Sequence, residues 1–216
     1  MTEERNGGWA LIVGAAMGLV TMAFHPSGAQ MLRDFERNAP INVAVHTLAL
    51  LAVPVTFFGA VALARRLAVS PGLSRFALIV FGMAQIAVMV AAVASGRLAT
   101  MLVSRILGST GTEAESARLL LSFSGMLNHA FATVFVVASS IAIGVWSVAM
   151  WRARDFPRWL AWLGLLVGST LVGITLLGRL RLDVHHFGLV VLAQSVWIIG
   201  TGITLVRLPR GPSGGD

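Results

Sequence analysis

Histidine is the one side chain in this sequence that can ligate a metal through nitrogen or exchange a proton near neutral pH, since the 216 residues include no cysteine and no lysine. The five histidines are His25, His46, His129, His185 and His186. Neutral imidazoles that converge from neighbouring helices are what a haem iron, a zinc or a copper ion requires. His46 and His129 make the sharpest pair, as axial ligands of a b-type haem. All five are candidate zinc or copper ligands, and Asp183, two residues before His185, is a candidate acceptor that would fix an imidazole tautomer. Asn42, one turn before His46, and Asn128, beside His129, are further polar partners. His185 and His186 are adjacent, so a helix turns only one of them toward a bundle interior. The competing reading is structural: histidine is amphipathic and sits comfortably in a headgroup zone, where its ring tip finds water or phosphate.

Several chemistries are excluded by the same inventory. Without cysteine there are no disulfides, thiolate metal sites or thiol redox steps. The lack of lysine rules out a retinal Schiff base and a Walker A phosphate site. No HExxH motif occurs, and no Asp or Glu falls inside an apolar run, which argues against a carboxylate proton relay. Ser122-Phe123-Ser124-Gly125, followed by His129, lacks the glycine pattern of a serine-hydrolase nucleophile elbow. Gln85 and Gln194 are the other polar groups set deep in apolar runs and suit hydrogen bonding between helices.

The elements that must position these residues are long apolar runs. Hydrophobic residues make up 56% of the chain and charged residues 12%, with a mean hydropathy of +0.83. A soluble domain carries about 25% charge, and a helix crosses the hydrocarbon of a bilayer in about 20 residues. The sequence predicts an all-α integral membrane protein, one domain over residues 1–208 built from six transmembrane helices. The spans run from about Trp9 to Phe24, Ile41 to Ala64, Arg75 to Ser95, Phe123 to Met150, Trp159 to Leu177 and His186 to Val206. Asn38 is the expected N-cap of the second span, with Pro40 in its first turn. The N-terminus lacks the basic start and cleavage site of a secretory signal, so the first run is read as a retained helix. Residues 209–216, rich in Pro and Gly, read as a disordered tail.

The connection from Gly96 to Ser122 is more than a loop. Leu98, Met101, Leu102 and Ile106 recur at helical spacing beside Arg97 and Arg105, which suits a short interfacial helix between the third and fourth spans. Thr112-Glu113-Ala114-Glu115 has the form of a capping box, so a helix is expected to start there and run on into the fourth span, bending near Gly125. The stretch Ser27 to Arg37 suggests a second, weaker interfacial helix. The spans also suggest three helical hairpins in series, since each even span carries histidine near its start and arginine beyond its end. Small residues at four-residue spacing (Gly14/Gly18, Ala87/Ala91 and Gly164/Gly168) suit close helix packing.

All 16 basic residues are arginine and set the expected orientation. Nine fall on the side of the termini and seven on the other, which favours both termini in the cytoplasm of an inner-membrane protein, with the histidines toward the outer face. The net charge of +7 belongs to loops that meet anionic lipid headgroups, so the partner implied is the bilayer and not nucleic acid. Two functions fit. One is a protein without cofactor: an accessory subunit, a scaffold, or a permease handling a small molecule or lipid, with a membrane-protein partner or a second copy beside it. The other is a haem b or transition-metal protein acting in electron transfer or oxidation at the outer face.

Overall fold

The computed structural model describes residues 3–27, 31, 33–180 and 182–207. The tail expected to be disordered lies outside these residues, as does part of the stretch 27–37. Helices dominate: α1 (Glu3–Ala23), α2 (Phe35–Arg66), α3 (Pro71–Val93), a π-helical turn (Ala94–Leu98), α4 (Ala99–Gly108), α5 (Gly111–Ala153), α6 (Arg158–Leu176) and α7 (Val184–Arg207). Counting α3 through α4 as one, six helices are long and apolar enough to cross a membrane. The protein is an all-α, six-helix membrane bundle.

Two of the boundaries differ from the sequence reading for local reasons. The second span begins four residues earlier than Asn38, with Asp34 as N-cap accepting from the Arg37 N–H at 3.4 Å. It stays helical through both Pro40 and Pro54. The helix expected between the third and fourth spans is present as α4, but it continues directly from α3 through the π turn. After Ser109 and Thr110 the chain reverses into α5, whose N-terminus receives no side-chain cap. Helix α5 then runs unbroken for 43 residues, about 65 Å at 1.5 Å per residue. That is twice the roughly 30 Å of a hydrocarbon core. Its first turns pack along α4, burying Leu102, Val103, Ala114 and Ala117 between them as a hairpin that extends past the bundle.

The spans form two rows of three. In one row α1 lies between α2 and α7; in the other α5 lies between α3 and α6. Lighter contacts of α2 with α3 and of α6 with α7 join the rows. Consecutive spans one and two, and three and four, do pair as hairpins, whereas α6 packs more closely on α5 than on α7. The main core, with Trp146 and Trp197 stacked at 6.4 Å between centroids, fills the half nearer the termini. There Arg66 bonds Asp155 at 2.8 Å and Glu4 at 3.3 Å, while Arg65 pairs with Glu3.

Helix α1 holds its row together by backbone approach. A Cβ on Gly59 would lie 2.7 Å from the Gly7 carbonyl, and one on Gly202 would lie 2.6 Å from the Gly8 carbonyl. Gly14 likewise sits directly against Thr56, but Gly18 has no atom nearer than 3.8 Å. Without water to expel, such close packing is the main attraction between helices in lipid. We predict that Gly202→Val lowers the melting temperature in detergent by several degrees, from overpacking that costs about 1–3 kcal/mol. Gly173→Ala, in open space, should leave it unchanged; circular dichroism melting of both variants checks this.

Candidate functional site

The site is assembled around the π turn. A π turn carries one residue more than an α turn, so its carbonyls lose their regular partners, and such turns recur at functional sites. Here three polar side chains supply the missing donors. Asn42 of α2 donates its amide to the carbonyls of Ser95 at 3.0 Å and Gly96 at 3.2 Å, and to Thr100 Oγ1 at 3.0 Å. Thr100 donates to the Gly96 carbonyl at 2.7 Å, and Ser124 of α5 to that of Ala94 at 2.9 Å. Gly96 gives His46 its seat, because a Cβ there would come within 2.7 Å of the His46 Cγ.

His46 is buried and donates from Nδ1 to the Asn42 carbonyl at 2.7 Å, one turn back on its own helix. Its Nε2 lies 2.7 Å from Ser95 Oγ and 3.2 Å from Nε2 of His25. His25 follows the end of α1 and donates from Nδ1 to the Pro26 carbonyl at 2.9 Å. Burial lowers the His25 pKa from its ordinary value, with that backbone hydrogen bond opposing the shift.

The other predicted site residues are placed elsewhere. His129 is exposed on α5 and does not approach His46. His185 and His186 are exposed at the start of α7. Asp183 bonds the ring of His186 and not that of His185: its carboxylate accepts from the His186 backbone N–H at 2.9 Å and from the His186 ring at 2.8 Å. Those hydrogen bonds, the backbone one first, hold the Asp183 carboxyl below its usual range. Among the described residues no group of three or more His, Asp or Glu is gathered closely enough to hold a metal ion. Asn128 and Asp183, with His25, His46 and Ser95, line one cavity of about 100 Å³.

That cavity adjoins a second, deeper one of about 120 Å³, and the two share Thr21, Met22, Ala49, Val88 and Phe187. The deeper cavity is walled mainly by apolar side chains of α1, α2, α3 and α7, with Phe135 from α5, and it contains both glutamines. Gln194 donates to Ser139 at 2.8 Å and Ser140 at 3.0 Å, binding α7 to α5. Gln85 is different: it is 8% exposed, and its amide finds no hydrogen-bond partner among the described residues. Neither cavity approaches the roughly 300–1,000 Å³ that drug-sized ligands fill, so a haem does not fit this arrangement.

Ser95 and Gly96 beside His46, and the availability of the Gln85 amide, are features of the site that sequence reasoning did not single out. The Ser95-Gly96 pair at the end of a span was the only local signal. Comparison with protein-family models, with curated protein sequences and with solved structures finds no match. The fold and its cavities define the class: a six-span membrane protein with a partly polar chamber between its two rows of helices.

Asn42 is the joint on which this arrangement turns. Asn42→Ala should strip donors from two buried carbonyls, costing about 1–3 kcal/mol in detergent. Asn42→Asp, which cannot donate when ionised, should be at least as harmful; comparing both melting temperatures with wild type tests this.

Proposed function

We propose that this protein binds a small, largely apolar molecule with one hydrogen-bonding group, taken up from the lipid of the cytoplasmic membrane. The observation that carries the reading is Gln85, a residue 8% exposed that lines the deeper cavity and whose amide has no hydrogen-bond partner among the described residues. Its polar atoms stay accessible from the cavity, where a bound carbonyl or hydroxyl would gain a hydrogen bond worth about 1 kcal/mol. Size agrees: a dry apolar cavity of about 150 Å³ holds a benzene, so the joined cavities suit one or two rings or a short branched chain. With the termini read as cytoplasmic from the arginine distribution, the His25 end of the chamber would face outward. This is the permease-like, molecule-handling function, with the bilayer as source.

The test uses purified full-length protein in nanodiscs. Organic extraction and mass spectrometry should recover a low-mass compound from wild type. A naphthol, which has two fused rings and one hydroxyl, should raise the melting temperature. Gln85→Leu should weaken naphthol binding about tenfold, the worth of one buried hydrogen bond. Gly18→Val should block it by filling the cavity, since the space beside Gly18 is open. Equal naphthol binding by wild type and both variants would rule the reading out.

A further inference from the structure

The hydrogen count at the histidine pair does not balance. A carbonyl can only accept, so the bonds to Pro26 and Asn42 place the hydrogen of each neutral ring on Nδ1. Both Nε2 atoms then present lone pairs, and these lone pairs meet at 3.2 Å. Ser95 Oγ is the third group at this point and brings one hydrogen, for which the Ala91 carbonyl at 2.9 Å also competes. Wherever that hydrogen goes, one acceptor is left facing another. A cation between the rings removes the conflict.

We propose that His25 and His46 form a binding site for a tetrahedral divalent metal ion, zinc by preference, with the Ser95 hydroxyl beside it and a further position open to the cavity. Three observations support this over an accidental contact. Zinc–nitrogen bonds of about 2.0–2.1 Å at a tetrahedral angle put two ligand nitrogens about 3.3–3.4 Å apart, close to the 3.2 Å found. A linear two-coordinate ion would need a spacing of about 4 Å from the same bond lengths. Each ring donates its other nitrogen to a backbone carbonyl, the usual way metal-bound histidines are oriented. The rings also border the 100 Å³ cavity shared with Asn128 and Asp183, which leaves room for an oxygen ligand. Two imidazoles and the Ser95 hydroxyl do not complete a tetrahedral shell, so the site would be open and not closed as in structural zinc centres. Nothing in this assignment depends on what fills the deeper cavity.

The experiment is a Co²⁺ titration of the full-length protein, purified in detergent without a histidine tag and stripped with EDTA. A single saturating equivalent should bind, with the intense visible absorption of four-coordinate Co²⁺, and Zn²⁺ should displace it. His25→Gln and His46→Gln should each weaken binding by roughly 100-fold or more. His129→Gln and the His185→Gln/His186→Gln double variant should leave it intact. His46 is deeply seated, so His25→Gln, just beyond the end of α1, is the deciding variant if His46→Gln fails to fold. Absence of saturable Co²⁺ binding in wild type, or binding that survives His25→Gln in folded protein, overturns the proposal. Loss of binding in the His185/His186 variant overturns it as well.

Discussion

A polar group inside a bilayer has no water to fall back on, and that constraint organises this protein. Each departure from regular helix has to be matched by a donor carried on a neighbouring helix. The π turn after α3 is possible because Asn42, Thr100 and Ser124 stand where its carbonyls lose their partners. Hydroxyls elsewhere bond back into their own helices: Thr56, Ser147 and Thr201 all return to the carbonyl four residues earlier. Among the described residues Asn6 Oδ1, Arg66 Nε and the indole nitrogens of Trp146 and Trp197 are buried without a partner, while Gln85 and the facing nitrogens of His25 and His46 border the two cavities.

The spans were legible because their lengths and lack of charge answer directly to bilayer thickness. The azimuth of the histidines was not. His46 and His129 both lie well inside their helices, yet α5 turns His129 outward while α2 turns His46 onto the π turn. Rotation about a helix axis depends on which neighbours pack closely, and here that is set by Gly7, Gly8 and Gly14 of α1 and by Gly96. The nearness of His25 to His46 follows from chain connectivity, since both flank the short link between α1 and α2. The π turn left almost no trace in composition, because Ala94–Leu98 differs little from ordinary span residues. Its clearest mark is Asn42, on another helix and more than fifty positions away. The two glutamines looked equivalent in sequence; Gln194 ties α7 to α5 through Ser139 and Ser140, and Gln85 ties nothing.

Support for the site is spread over the whole bundle. Helix α2 provides His46 and Asn42, α3 and its π turn provide Ser95 and Gly96, α5 provides Ser124 and Asn128, and α1 leads into His25. The tight core around Trp146 and Trp197 occupies the opposite half, so the end near the termini is solid and the histidine end is hollow. The ion pairs of Arg65 and Arg66 close the solid end, where three distant stretches of chain meet.

The seating of α1 between α2 and α7 bears on how the protein is made. Helix α1 contacts α2 as soon as both are inserted but waits for α7, because Gly202 completes the surface around Gly8. Until α7 is inserted, lipid tails cover one flank of α1 and the deeper cavity lacks the wall formed by Val191, Gln194, Ser195 and Ile198. Insertion of α7 therefore completes the lining of the deeper cavity. A chain cut short before residue 184 would carry both histidines of the pair and lack that lining.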